Sequence, residues 1–245
     1  MNYSLDQLTA VVLAGGLGTR IKALYPDLPK PMIPIRGRPF LEWVLRYLRK
    51  QGLSRVLISS GYRAEVVSGH FVPQPVDGLD VQCVDEATPL GTAGGFLAAA
   101  ARAKAPPESW LVLNGDSLVF ANLQTAANPL LDHSVDGVVV GVSVPDASRY
   151  GKIIFSDSGQ LLRFEEKQPG AGAINAGIYL LRDHLVKTFS SARPLSFEKD
   201  VFPKLLAEGR RIQSHVTRAA FLDIGTPETI RLAEAFITQN EDQFA

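Results

Sequence analysis

The sequence predicts an α/β fold: a Rossmann-like, mixed but mostly parallel sheet flanked by helices. Three observations predict it. Through the first half of the chain, short apolar runs alternate with segments of helical period. Two of the apolar runs stop at Gly15-Gly16 and at Asn114-Gly115-Asp116, as buried strands do where they feed loops. Farther on, two apolar runs flank Asp157-Ser158-Gly159, a hairpin-turn signal that adds an antiparallel portion.

Taken in order, Thr9 to Ala14 reads as a buried strand. Phe40, Leu41, Val44, Leu45 and Leu48 then recur at helical spacing. Arg46, Arg49 and Lys50 fall in the last turns of that helix, where cations suit its negative end, and Gly52 is placed to cap it. Val56 to Ser59 reads as a strand, Ala64 to Phe71 as a helix, and Leu79 to Val84 as a strand. That strand carries Cys83, the only cysteine, which reads as a small core residue and permits no internal disulfide. Gly94 to Ala103 is Ala-rich and helical. Leu111-Val112-Leu113 is a fully apolar strand, and Val138 to Val144 is another. Ile153 to Phe155 and Leu161 to Phe164 form the hairpin, and Ile174 to Leu181 is one more strand. A helix is expected near Phe197 to Ala207, with Ser196 as its cap and Lys199 where a capping box usually has glutamate. Ile212 to Val216 is a short strand and Pro227 to Thr238 the last helix. Its Phe236 and Ile237 suit either a homo-oligomer contact or the core.

Composition narrows the function classes. The 25 basic and 25 acidic side chains cancel, which leaves no electrostatic footprint for nucleic acid or an anionic membrane. No run of ~18 apolar residues is present to span a bilayer. Met1 to Leu8 lacks the basic start and apolar run of a signal peptide, so the expected location is cytoplasmic. His70, His133, His184 and His215 are scattered without zinc-ligand spacing, and each reads as a surface or capping residue.

The main clue is Leu13-Ala14-Gly15-Gly16-Leu17-Gly18-Thr19-Arg20. Three glycines directly after a strand let backbone N–H groups approach a nucleotide and wrap its phosphates. Arg20 adds a planar donor fork for phosphate oxygens. Pro29-Lys30-Pro31 follows, two prolines stiffening a turn that holds Lys30. A dinucleotide loop would have a third glycine where Ile21 stands, and no Gly-Lys-Ser/Thr triplet completes a P-loop. Asp116 follows a fully apolar strand and Asp223 ends a short one, 107 positions later. Taken singly, each aspartate equally suits a turn or a helix cap. Together they have the chemistry for Mg²⁺, which takes one or two carboxylates plus phosphate oxygens.

Gly15-Gly16-Leu17-Gly18-Thr19-Arg20 with Pro29-Lys30-Pro31 resembles the signature of the sugar-1-phosphate nucleotidylyltransferases, and the resemblance runs from about Thr9 to at least Glu228. It implies the nucleotide-diphospho-sugar transferase fold as a single domain over 1–245, with a nucleotide half near 1–120 and a sugar half near 121–245. By resemblance, Arg20 and Lys30 clamp the triphosphate as catalytic cations and Asp116 and Asp223 hold the metal. Leu13, Ala14, Gly15, Gly16, Gly18 and Thr19 form the nucleotide loop. Glu86, Pro89, Gly91 and Thr92 resemble the base-recognition segment, with Gly91 allowing close approach to the base. Phe164-Glu165-Glu166-Lys167 resembles a Glu-Glu-Lys-Pro motif, with Gln168 in place of the proline. It implies that Glu166 contacts sugar hydroxyls and Lys167 the sugar phosphate. Asn175-Ala176-Gly177 resembles an Asn-x-Gly strand start that binds a sugar hydroxyl, and Asn114, Gly115 and Gly151 join the sugar-phosphate side.

Glu86 stands where thymidylyl- and uridylyltransferases often have glutamine. A carboxylate suits the two donors, N1–H and N2–H₂, of guanine. The chain therefore resembles the guanylyltransferases for mannose 1-phosphate and, more closely, for D-glycero-D-manno-heptose 1-phosphate. The implied partners are GTP and a sugar 1-phosphate, with Mg²⁺ as cofactor. A uridylyl- or thymidylyltransferase for a hexose 1-phosphate, and a non-catalytic nucleotide-sugar-binding regulator, are the alternatives. Retention of Arg20, Lys30, Asp116 and Asp223 argues against the regulator.

Overall fold

Side-chain alternation organises the central sheet. In β1 (Leu8–Leu13), Ala10 and Val12 pack into the core on one face while Val11 packs into the core on the other. That is the period-two pattern of a strand covered on both sides. The computed structural model describes residues 2–16 and 18–244. Met1, Leu17 of the glycine-rich loop and Ala245 lie outside the described residues.

A small ladder of β2 (Pro34–Ile35) and β3 (Arg38–Pro39) leads into α1 (Phe40–Lys50). Then come β4 (Arg55–Ser60), α2 (Ala64–Phe71), β5 (Asp80–Asp85), α3 (Thr92–Ala100) and β6 (Ser109–Asn114). β4, β1 and β6 run parallel side by side, with β5 parallel at the edge. A short β7 (Ser117–Val119) and α4 (Leu123–Ala127) precede β8 (Gly137–Val144). The hairpin follows, β9 (Lys152–Phe155) and β10 (Leu161–Glu165), and then the long β11 (Gly172–Arg182) and α5 (Asp183–Val186). β11 runs antiparallel to β6, β8 and β9, and so joins the parallel part to the hairpin. A π-helical turn over Phe197–Val201 continues into α6 (Phe202–Ala207). β12 (Ile212–Thr217) pairs parallel with β8, β13 (Phe221–Asp223) pairs with β7, and α7 (Pro227–Gln239) closes the chain. Among the described residues the main sheet has nine strands, parallel in its first portion and largely antiparallel in its second apart from the parallel β8–β12 pair, a mixed sheet as the sequence predicts.

The two faces carry separate cores. On one, Phe40, Leu41, Val44, Leu45 and Leu48 of α1 are fully buried with residues of α2, α4 and α7. On the other, Phe96, Trp110, Tyr179, Phe197 and Phe202 form an aromatic cluster with α3 and α6. Each such ring removed from water stabilises by roughly 1.5–3 kcal/mol. Gly52 caps α1 with a φ of +95°, the left-handed conformation that favours glycine.

Several local expectations need correction. α3 starts at Thr92 rather than Gly94, because Gly91 already makes the left-handed turn into the helix. Ile237 is fully buried, and Phe236 stacks on Phe120 at 5.1 Å, so both serve the core; the exposed apolar residue of α7 is Leu232. His215 lies half-buried on β12, where burial lowers its pKa, and is neither a surface nor a capping residue. Cys83 is half-buried on β5, with its thiol pushed up to about 11 by burial and then by Asp85. Among the described residues, no helix is long and apolar enough to cross a membrane.

Candidate active site

The register of the parallel strands builds the site. Leu13 is level with Ser59 on one side and with Asn114 on the other, and Ser60 is level with Asp85. The carboxyl ends of β1, β4, β5 and β6 therefore open together, the usual ligand position in such sheets. A cavity of about 340 Å³ lies there. It is lined by Leu13, Ala14, Gly15 and Gly16 of the glycine-rich loop, by Glu86, Pro89, Leu90, Gly91 and Thr92, and by Lys30, Pro31, Asn114 and Asp116. The nucleotide motifs thus meet, apart from Thr19, which is exposed away from the cavity, and Gly18. Gly18 has a φ of +57°, and a Cβ there would lie 3.1 Å from Lys30 Cβ, so that glycine lets the loop pass over the lysine.

The two aspartates, so far apart in sequence, are brought together by the smallest ladder in the second half. β13 pairs with β7 so that Asp223 is level with Ser117, and the Ile224 N–H donates to the Asp116 carbonyl at 3.0 Å. Lys30 Nζ donates to Asp116 Oδ2 at 2.6 Å. Asp223 Oδ2 lies against Gly225, where a Cβ would collide with it and come within 3.6 Å of Lys30 Nζ. Lys30 is thus paired with Asp116, and Asp223 lies close by across Gly225.

Asp223 also faces a second cavity of about 490 Å³, lined by Arg20, Ser148, Arg149, Tyr150, Gly151 and Lys167. The site is thus two cavities, and Arg20, expected to clamp the triphosphate together with Lys30, lines the second while Lys30 lines the first. They adjoin at Lys30, Asp116 and Asp223. Sequence reasoning selected Gly151 and passed over Arg149 and Tyr150, although a basic and an aromatic residue directly before it were a usable signal. Tyr150 donates its hydroxyl to Asp223 Oδ1 at 2.8 Å, and Arg149 approaches the same oxygen at 3.6 Å. Burial, and then the bond to Asp223, push the Tyr150 phenol up to about 12, so it stays a donor at neutral pH.

The sugar-side motifs are only partly gathered. Lys167 lines the second cavity, but Glu166 is exposed and lines neither. Asn175 and Gly177 sit at an irregularity in β11, where the Gly177 N–H donates to Asn175 Oδ1 at 3.0 Å. Asn175 Nδ2 donates to the Tyr179 hydroxyl at 2.8 Å, which in turn donates to Glu198 at 2.7 Å. Burial and that carboxylate hold the Tyr179 phenol well above its usual range. Asn175 is therefore engaged within the protein at both ends of its amide.

Three glycines assigned to ligands also make close contacts within the protein. A Cβ at Gly91 would meet the Leu195 carbonyl oxygen at 2.5 Å, and its φ is +76°, so the close approach there is to the protein's own backbone. Gly115 donates its N–H to the Leu13 carbonyl at 2.8 Å, drawing β6 against β1. Gly177, at a φ of +67°, leaves the space that the Asn114 side chain fills. Thr92 Oγ1 accepts from the Phe197 N–H at 3.0 Å and so ties the base segment to the π-helical turn.

The donor set at the aspartate pair fits a magnesium ion. Asp116, in the turn between β6 and β7, and Asp223, at the end of β13, lie close together beside the cavity lined by the glycine-rich loop. Among the described residues no group of three or more His, Cys, Asp or Glu side chains is placed to hold a metal. A cation there must complete its shell from substrate and water, as Mg²⁺ does and structural zinc does not.

The chain is similar to known proteins along most of its length. The chain is 32% identical over 228 residues to D-glycero-α-D-manno-heptose 1-phosphate guanylyltransferase of Aneurinibacillus thermoaerophilus, covering 93% of this chain and 97% of that one. It is 33% identical over 225 residues to mannose-1-phosphate guanylyltransferase of Mycobacterium tuberculosis, covering 91% of this chain and 62% of that longer protein. The fold superposes on the crystal structure of HddC from Yersinia pseudotuberculosis complexed with GMP-PN with a TM-score of 0.82 and 34% identity, over 94% of this chain and 99% of that one. The family model described as nucleotidyl transferase matches residues 9–240, from the first strand to the end of α7. With the glycine-rich loop, Lys30 and the aspartate pair assembled at the strand ends, this chain belongs to the nucleotidyl transferase family and is an enzyme of that kind.

Proposed function

We propose that the chain transfers GMP from GTP to a sugar 1-phosphate, D-glycero-D-manno-heptose 1-phosphate, and releases pyrophosphate, with Mg²⁺ at Asp116 and Asp223. The observation that carries this reading is the Lys30–Asp116 pair at the strand ends with Asp223 close by, and Arg20 and Lys167 on the far side of Asp223. The nucleotide lies in the cavity built before residue 120, and the sugar phosphate on the side contributed by Gly151 and Lys167.

The attacking sugar-phosphate oxygen is already an anion, so the reaction needs no general base. That oxygen forms a bond to the α-phosphorus while the bond to the bridging oxygen of pyrophosphate breaks. Positioning and charge neutralisation supply the catalysis. Backbone amides of the glycine-rich loop cradle the phosphates, and the ammonium donors of Lys30 not given to Asp116 meet their oxygens. The guanidinium of Arg20 receives the phosphates from the second cavity. Asp116 and Asp223 would hold Mg²⁺, which when bound would supply further charge neutralisation at the polyphosphate.

Glu86 supports the choice of guanine, as do the names of the relatives and the GMP-PN bound by HddC. The full-length match to the heptose enzyme favours heptose over mannose. A matrix of four triphosphates against heptose, mannose and glucose 1-phosphates, read as pyrophosphate, tests the reading. The greatest turnover is expected for GTP with the heptose phosphate. Glu86→Gln is expected to lower the preference for GTP over the other triphosphates by about 5- to 150-fold, the worth of a bidentate base contact. Turnover of none of the pairs in the presence of Mg²⁺ would instead favour a non-catalytic nucleotide-sugar binder.

A further inference from the structure

Ser59, with Ser60 at the end of β4, is a polar residue with no accessible surface, after the apolar run Val56-Leu57-Ile58. Its backbone carbonyl accepts the Ala14 N–H at 2.7 Å, at the start of the glycine-rich loop. Its hydroxyl lies 2.7 Å from Glu86 Oε1 and 3.0 Å from the Gly95 carbonyl. A hydroxyl has one proton to donate, and the charged, nearer acceptor takes it.

The glycines around this carboxylate are equally restrictive. A Cβ at Gly15 or at Gly95 would stand 2.6 Å from Glu86 Oε1, and one at Gly95 also 3.1 Å from Ser59 Oγ. Gly95 lies inside α3, where glycine costs about 0.5–1 kcal/mol relative to alanine. Helix formation gives no reason for it, whereas space for Glu86 does. Among the described residues Glu86 Oε2 accepts no hydrogen bond, and the residue lines the nucleotide cavity.

We infer that Ser59 and Gly95 are positioning residues for purine selection. They fix Glu86 with Oε1 turned inward to the Ser59 hydroxyl, so that the carboxylate edge meets N1–H and N2–H₂ of guanine in one orientation. The inference rests on the reading of Glu86 as the base-contacting group. Neither residue touches the nucleotide in this account; each acts through Glu86.

Inosine triphosphate tests it, because it differs from GTP only in lacking the N2 amino group. Ser59→Ala removes the inward donor. Gly95→Ala adds a methyl where the atoms in the way are the tip of Glu86 and the Ser59 hydroxyl, which can move without disturbing the backbone. The ratio of kcat/KM for GTP over ITP is expected to fall at least about five-fold in both variants, chiefly through KM for GTP, and by as much or more in Glu86→Gln. Calorimetric binding of GDP against IDP reads the same ratio without turnover. Gly95→Ala should melt no lower than the parent, since alanine is the better helix former, so it decides the matter if Ser59→Ala folds poorly. A lowered ratio in Glu86→Gln with parental ratios in Ser59→Ala and Gly95→Ala would overturn the inference and leave the Glu86 reading standing. A parental ratio in Glu86→Gln would overturn both.

Discussion

Asp223→Asn is expected to lower kcat about 10²- to 10³-fold while the melting temperature moves by no more than about 2–4 °C. The substitution keeps the shape of the side chain and an oxygen for the Tyr150 hydroxyl, which now bonds Asp223 Oδ1 at 2.8 Å. What it removes is a negative charge close to the Lys30–Asp116 pair. The remaining carboxylate, Asp116, is already paired with that ammonium at 2.6 Å. A divalent cation would then meet one engaged carboxylate in place of two, and its hold on the polyphosphate would weaken. Asp223 is mostly buried at its side chain, yet its ion pair with Arg149 is long, at 3.6 Å, and Arg149 is half-exposed. Such pairs contribute about 0–1 kcal/mol, so the fold should lose little. Pyrophosphate release at saturating substrates, with a thermal melt alongside, reads both quantities. Activity within about three-fold of the parent would remove Asp223 from the chemistry.

Lys30→Met should cost a comparable factor, about 10²- to 10³-fold in kcat/KM, with a higher KM for the triphosphate as part of the loss. Methionine keeps the length and apolar stem of the lysine, which is 14% exposed, and deletes only the charged end. Asp116, 34% exposed, can then be hydrated, so a small loss of stability is expected. Lys30→Arg should not restore activity. The turn is fixed by Pro29 and Pro31, both buried, and Lys30 Nζ already lies 2.6 Å from Asp116 Oδ2. A planar guanidinium, broader and on a longer side chain than the ammonium, must displace Asp116. Full activity in the arginine variant would mean that the position supplies charge without geometry.

The parts of this site that were legible in the sequence lie at the ends of parallel strands. A run such as Leu111-Val112-Leu113 announces a buried strand, and the polar residues after it fall at the sheet's carboxyl edge whatever the wider topology. Asn114, Asp116, Gly15 and Glu86 were readable for that reason. The pairing of Asp116 with Asp223 was implied only by resemblance and not by periodicity, because it depends on the three-residue ladder of β7 and β13, too short to leave a periodic trace. The division of the site into two cavities follows from the same ladder. Gly91 and Gly115 show a different limit. A glycine signals that something approaches closely, but not whether that is a ligand or, as at Gly91, the Leu195 carbonyl. Phe236 and Ile237 lie on an apolar face whose covering partner, Phe120 for one of them, comes from elsewhere in the chain. Ser59 had a signal, two serines ending an apolar strand, whose meaning depends on the Glu86 carboxylate folded against it.

The central claim is that Asp116 and Asp223 together hold the cation that accompanies the triphosphate. A crystal of the protein grown with Mn²⁺ and a non-hydrolysable GTP analogue, measured for manganese anomalous scattering, tests it most directly. The account predicts one strong peak between the two carboxylates, with both within about 2.3 Å of it and analogue phosphate oxygens completing the shell. A peak on the phosphates with neither aspartate in contact, or a triphosphate lying away from Lys30, would contradict it.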